Sequence, residues 1–574
     1  MPNPVSNTMP SMPRRSLSAI AIAVLSACAL GPVTTEPTGR APELSGFGEL
    51  QVPITTSSPT AQRWFTQGVL QAYAFNEFEA VRMFKAALAQ DPNCAMCAWG
   101  VAWQLGPNIN NTSRDKVAQA RAYLDMALRP GAQMTPRERS LIEAMALRYG
   151  HASQAKAAAP LLADVCGGLK DDDDKADPLD LVYADRMHEL AQASPLDPEI
   201  IALWAEAEMV ATRDDWWPTG GGPAARRIGE VATALERALA QHPQHIGLNH
   251  YMIHAVDADG VAQRAVASAD RLGALAPASP HLVHMPSHTY VHVGRYADAA
   301  QVNQAAVAAD LALFEVQKAQ GFSISKDWRN HDQHFLWFAA LMQGRGDLAV
   351  ETARDIATRA AKAQHIYGEY RRSLPALALM RLRRWDDLIA EPLPEGKLGL
   401  AQVLGQQARG VAFARTGRVT QARAALAQAD AGAAMVNREH ASNKGEDRTM
   451  RDMVAAATDR LRAEIALAEG RPEAALALQA QALIESRRVD ESEPPMLAAG
   501  DRLALAEMQL RAGRAKLAEQ TFREDLVAQP ESGWALEGLS RALQAQGKTT
   551  EARALQPRID RVWALADAPL RSAR

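Results

Sequence analysis

Aromatic residues, cysteines and long apolar runs are all scarce in this chain of 574 residues. Aromatics make up 5% of the chain although apolar residues reach 47%. Ala and Leu must therefore supply most of the apolar surface, a composition suited to closely packed helices and poor in strand-forming runs. Four cysteines are too few for a disulfide scaffold. An excess of positive charge is also missing: 62 Lys and Arg stand against 66 Asp and Glu, a formal net charge of -4, which gives no footing for a nucleic-acid partner. No HExxH occurs, so a zincin-type protease is excluded. The N-terminal apolar run, Ser16 to Ala27, is too short to span a bilayer as a mature helix.

That run has a different use. It follows Arg14 and Arg15, as an h-region follows an n-region in a signal peptide, and ends in Leu25-Ser26-Ala27-Cys28. These four residues resemble the lipobox of bacterial lipoprotein precursors, which implies lipidation at Cys28 and anchorage to a membrane surface. Ala29 follows the cysteine in place of an Asp, so the expected location is the periplasmic face of the outer membrane. An ordinary secretory signal is the alternative, and it too exports the chain. Residues 28–55, rich in Pro, Gly and Thr, read as a flexible tether.

A single core does not grow to this length, so the remainder is several domains or one array of repeats. Repeats are present. Trp64, Gly68 and Tyr73, followed by Ala80, Phe84, Ala87 and Pro92, fit the tetratricopeptide-repeat (TPR) pattern of two antiparallel helices. A second signature, Gly then Arg or Lys with Ala five residues after the Gly, recurs at Gly294, Gly344, Gly417, Gly470, Gly513 and Gly547. Glycine there ends one helix in a tight turn, and the small Ala lets the next helix pack closely. The expected fold is all-α, an α-solenoid of TPR-like helix pairs. It is irregular over residues 56–375, which carry the histidine cluster, and more regular over residues 376–574.

Histidine is unevenly distributed: 10 of the 14 lie between 242 and 334, where an even spread would place about two. His250 and His254 share one helix face at i and i+4, as do His284 and His288, with His281 and His292 extending that stripe. His331 and His334 form a third pair. Imidazoles one helical turn apart supply two nitrogens to one transition metal, copper or zinc, with little ordering cost. The candidate ligands are His250, His254, His281, His284, His288, His331 and His334, with Asp257, Asp259, Asp327 and Asp332 as carboxylates that orient the rings. Pro286 interrupts the His284–His288 spacing. The competing reading is a set of packed histidines, each bonded to a backbone carbonyl.

Cys94 and Cys97 form a CxxC at a helix start, read as a disulfide, a redox pair or two buried thiols; no His follows, against haem attachment. Cys166 has no evident partner in sequence. The acidic run from Gly167 to Asp177 reads as a solvated loop, and Trp216 and Trp217 as a pocket wall or helix packing. Residues 73–110, 249–259, 280–299 and 330–335 resemble a group of bacterial TPR proteins of poorly defined function. That resemblance implies a helical-repeat fold and histidines at positions 250, 254, 281, 284 and 288; the chain departs from the group at the glycines 220–222.

Two functions follow as expectations. The first is a cell-envelope scaffold that binds a protein, peptide or other ligand on its concave face and carries a histidine metal site. The second is a metalloenzyme for hydrolytic or oxygen chemistry with a multi-histidine copper or zinc site, its catalytic residues unassigned; metal storage or delivery would use the same histidines.

Overall fold

The computed structural model describes residues 40–567 apart from 152, 154–175, 213–215, 219–222, 323–327, 443–444, 490–493 and 496–497. The signal segment with Cys28, the tether up to residue 39, Cys166, the acidic run through residue 175, the glycines 220–222 and Asp327 lie outside the described residues.

Helices succeed one another from Pro59–Tyr73 to Gln556–Val562, with no strand among the described residues. The first pair shows how sequence builds the unit. Ser58 caps the helix Pro59–Tyr73 by accepting from the Ala61 N–H, and Pro59 opens its first turn. The helix Glu77–Gln90 carries Glu77 and Glu79 in its first turn, where the helix dipole favours anions. Gly68 lets the two meet, because a Cβ there would lie 2.6 Å from the Phe84 ring. Leu400–Arg415 with Val419–Glu439, Gly445–Ala468 with Pro472–Arg487, and Ala498–Arg511 with Ala515–Ala528 repeat the plan. The six signature glycines all adopt left-handed backbone, φ 66° to 76°. The alanines that follow them, from Ala299 to Ala552, are buried. The architecture is an α-solenoid of TPR-like helix pairs.

Residues 40–55, expected within the tether, are instead laid against the helices. Phe47 and Val52 are buried, the Ala278 N–H donates to the Gly46 carbonyl at 2.9 Å, and the Thr55 N–H and hydroxyl both reach Glu138 at 2.6 Å. Phe47 and Val52, with Leu44, Leu50 and Ile54 packed against the same core, fix the segment. The boundary drawn between residues 375 and 376 falls inside the helix Ile366–Arg381, which continues through Pro375.

At its far end the array returns onto its own middle. The Trp534 indole donates to the Leu341 carbonyl at 2.9 Å. The Asp567 N–H donates to the Gly344 carbonyl at 3.0 Å, and the Asp567 carboxylate accepts from the Asp347 N–H at 2.8 Å. A Cβ on Gly294 would meet the Pro530 carbonyl oxygen at 2.4 Å. Asp525, 1% exposed, is buried behind this closure with Arg502 at 3.8 Å. Burial pushes its carboxyl up to about 6 against the opposing pull of Arg381 and Arg502.

Two predictions arise. Gly294→Ala and Gly417→Ala both force Ala into left-handed backbone, at roughly 1–2 kcal/mol, but only Gly294 also meets a neighbour, since a Cβ on Gly417 finds open space. Urea denaturation should therefore show the larger loss for Gly294→Ala; equal losses would contradict the closure. For Asp525 the folded-state value lies above the unfolded one, so stability is fully present below about pH 4 and declines as pH rises toward 6. Asp525→Asn should raise stability at pH 7.5 by up to about 3 kcal/mol and change little at pH 4; thermal melts at the two pH values decide it.

Candidate metal centre

Four helices supply the central histidines. His250 and His254 lie on the helix Ile246–Ala255, capped by His245, whose Nδ1 accepts from the Leu248 N–H at 3.1 Å. His281 and His284 lie on Pro280–His284 and His288 on Pro286–His292. Met285 between them keeps helical angles, φ -49° and ψ -37°, so Pro286 opens the second helix without turning its face away. Asn303 comes from Tyr296–Ala319, and His331 from Arg329–Met342.

These elements bring six rings into two triads, His250 with His254 and His281, and His284 with His288 and His331; within each, one ring nitrogen per residue lies within 4.8 Å of the others. His250 Nε2 is 3.1 Å from both His254 Nε2 and His281 Nε2. His284 Nε2 is 3.0 Å from His288 Nε2. The triads share one centre. The His254 and His288 rings approach to 6.4 Å between centroids, and so do those of His281 and His284.

The opposite ring nitrogens fix the tautomers. His250 Nδ1 donates to the Tyr73 carbonyl at 2.7 Å, and a carbonyl can only accept. His284 Nδ1 donates to Asn303 Oδ1 at 2.6 Å, while Asn303 Nδ2 donates to the Ala299 carbonyl at 2.7 Å and so sets the amide's orientation. His288 Nδ1 faces Asp257 Oδ2 at 2.8 Å. Each Nε2 therefore turns inward. Burial, reinforced by His254, holds His250 well below the ordinary histidine range. Burial, with His331 and His288, does the same to His284. His254 and His331 are pushed down to about 3, again mainly by burial and then by His288. A second proton on these rings is thus disfavoured, and they stay neutral imidazoles. Burial would raise Asp257, but His288 and His292 outweigh it and hold the carboxyl well below the usual range. Asp332, also buried, places Oδ1 3.4 Å from His284 Nδ1.

Each triad has an aromatic wall. Phe75 lies 4.6 Å from the His250 ring and 5.1 Å from His281; Phe335 lies 4.8 Å from His284 and 4.5 Å from His288. Trp328 stacks on His281 at 4.3 Å. In front is a cleft of about 1270 Å³, lined by His254, His281, His288 and His331 with Asn108, Trp216 and Trp328. His250 and His284 sit behind them, fully buried.

Six of the seven histidines proposed as ligands from sequence are brought together. His334 is not: its Nε2 meets the Tyr370 hydroxyl of the helix Ile366–Arg381 at 3.1 Å and its ring stacks on Trp337, so its side chain is drawn to that neighbouring helix. Asp259 contacts only His292, at 2.9 Å, among the histidines. Trp217 packs by donating to the Ala255 carbonyl at 2.8 Å, whereas Trp216 lines the cleft. Phe75, Phe335, Asn303 and Trp328 went unread in the sequence. Phe75 alone had a local signal: it stands five residues before Ala80, in the slot where the six signature turns carry glycine, and it shares their left-handed backbone at φ 51°.

Cys94 and Cys97 are joined in a disulfide at the start of the helix Ala95–Gln104, with Cα atoms 5.3 Å apart and both residues buried. Alkylation of the unfolded, unreduced chain should leave both cysteines unlabelled, and prior reduction should expose two more sites by peptide mass; labelling without reduction would show free thiols.

No family model matches the chain, and neither does any curated protein. Solved structures to which it is similar include the P58(IPK) TPR domain (11% identity, 85% of this chain and 99% of that one, TM-score 0.20). Cut9–Hcn1 of the APC/C follows at 10% identity, 88% and 96% coverage and TM-score 0.23. Yeast Tom70 has 11% identity, 88% and 92% coverage and TM-score 0.19. The fold assignment rests on the helix pairs and turns described above.

Proposed function

We propose that this chain is an exported metalloprotein whose helical-repeat scaffold holds a pair of transition-metal ions, one in each histidine triad, for chemistry on a ligand entering the cleft. The observation that carries the reading is the inward approach of Nε2 atoms at 3.0–3.1 Å. At His284 and His288 both Nδ1 atoms carry the ring proton, so the two Nε2 lone pairs, 3.0 Å apart, repel unless a cation lies between them. Nitrogens bound to one ion at about 2.0–2.1 Å sit roughly 3 Å apart, so the spacing matches shared ligands. Packed structural histidines would each satisfy a separate backbone partner instead.

The ligand set is entirely imidazole, which suits copper and zinc and disfavours magnesium, calcium or manganese; the divalent affinity order places copper first. Three protein nitrogens per ion leave room for an exogenous ligand, and paired copper ions supply dioxygen binding and activation, whereas zinc supplies activated water. The chain's own residues do the positioning. Tyr73, Asn303 and Asp257 hold the Nδ1 protons and aim the rings. Phe75 and Phe335 exclude water from the buried side, and Trp216 and Trp328 flank the entrance. Export as a lipoprotein, proposed from Leu25 to Cys28, would place this chemistry at the cell envelope, and the repeats supply surface for a protein partner.

The test is elemental analysis of untagged protein reconstituted with copper or zinc. About two equivalents are expected, one per histidine triad. His250→Ala and His284→Ala should each lose about one, while His334→Ala keeps both. Absence of stoichiometric metal from the wild-type chain, or equal loss in His334→Ala, would overturn the proposal.

A further inference from the structure

The helix Arg329–Met342 borders the metal centre with His331 and Phe335, and its following turns line a separate cavity. That cavity, about 70 Å³, lies between this helix and Ile366–Arg381, with walls of Trp337, Phe338, Leu341 and Met380 and with Arg381 and Arg460 at its edge. Two donors there lack an oxygen acceptor among the described residues. The Trp337 indole N–H is buried, the residue being 4% exposed, and has no hydrogen-bond partner. Arg381 forms no salt bridge among the described residues; its one hydrogen-bond contact is the Met342 sulfur at 3.8 Å, and its guanidinium lies 5.6 Å over the Trp534 ring.

The neighbouring charges are matched apart from Asp525, whose carboxylate oxygens have no hydrogen-bond partner among the described residues. Arg383 pairs with Glu507, Arg460 with Asp501 at 3.2 Å, and Arg511 with Glu464 at 2.8 Å. Burial lowers Arg381 to about 10, with Arg460 and Arg383 adding to the effect against Asp525 and Glu507. It stays a cation at neutral pH. Arg381 is partly buried and has no ion pair to the Asp525 and Glu507 that act on it through space, so an arriving anion would offset its desolvation; its guanidinium and the Trp337 indole N–H, on one cavity wall, are donors that a carboxylate accepts.

We infer that this cavity is a binding site for a small apolar carboxylate, its two oxygens held by the Arg381 guanidinium and the Trp337 indole N–H and its carbon chain by Phe338, Leu341 and Met380. The volume admits a short acyl chain or one terminal residue, so a free acid and the C-terminal carboxylate of a peptide share the required chemistry. Phosphate and sulfate fit poorly, because the remaining walls are apolar.

The experiment is calorimetric titration of the full chain with hexanoate, with hexanol, and with a short peptide ending in Leu as free acid or as amide. Binding of hexanoate, of the free-acid peptide, or of both supports the site and identifies the source. Binding of neither acid, or equal binding of hexanol or the amide, overturns it. Arg381→Met should weaken the acid at least 10-fold, and Trp337→Phe, which removes the N–H together with part of the indole, several-fold; circular dichroism and thermal melts confirm that each variant is folded. Unchanged affinity in both folded variants also overturns the assignment.

Discussion

The donor positions of three Nδ1 atoms constrain the centre more than any other interaction. A backbone carbonyl from the first helix pair, a side-chain amide from a later helix and a carboxylate from a connecting turn each take one imidazole proton. Because those acceptors sit outside the cluster, the opposite nitrogens can only face inward. The remaining features serve that arrangement. Small residues bring the helices close enough for the rings to converge, and deep burial keeps the nitrogens unprotonated. The cleft then exposes four of the six rings to an incoming ligand while two stay hidden.

Phe75 shows what the arrangement costs. In six other turns of the same kind the residue in this slot is glycine, and a bulky side chain in left-handed backbone is unfavourable by about 1–3 kcal/mol. The strain persists because the ring is wedged among His250, His254 and His281. A glycine there would leave the first triad without its apolar wall. Backbone conformation has been given up at one turn so that a side chain can reach the centre.

What was legible from sequence follows the range of the forces involved. The helix pairs, the turn glycines and the shared faces of His250 with His254 and His284 with His288 are set by local periodicity, and a single sequence displays that directly. Which third histidine completes each set is decided by how distant helices cross. His331 and His334 were therefore equally eligible on paper, and only tertiary packing sends one to the centre and the other to Tyr370. Asn303 gave no sign at all, being one polar residue on a long amphipathic helix. Residues 40–55 misled for the opposite reason: their Pro, Gly and Thr are those of a linker, and the apolar side chains between them, Phe47 and Val52 above all, outweigh it.

The return of the last repeats onto Leu341, Gly344 and Pro530's neighbour Gly294 alters how such an array can behave. In an open solenoid each unit touches only its neighbours, so the end frays first and units can be gained or lost in evolution with local effect. Here the terminal helices also hold the middle. Fraying from the C-terminus has to break that contact, which ties the stability of the last units to the helices bordering the histidine cluster. The array resembles a clasped bracelet, and its length is fixed by the need for the clasp to meet.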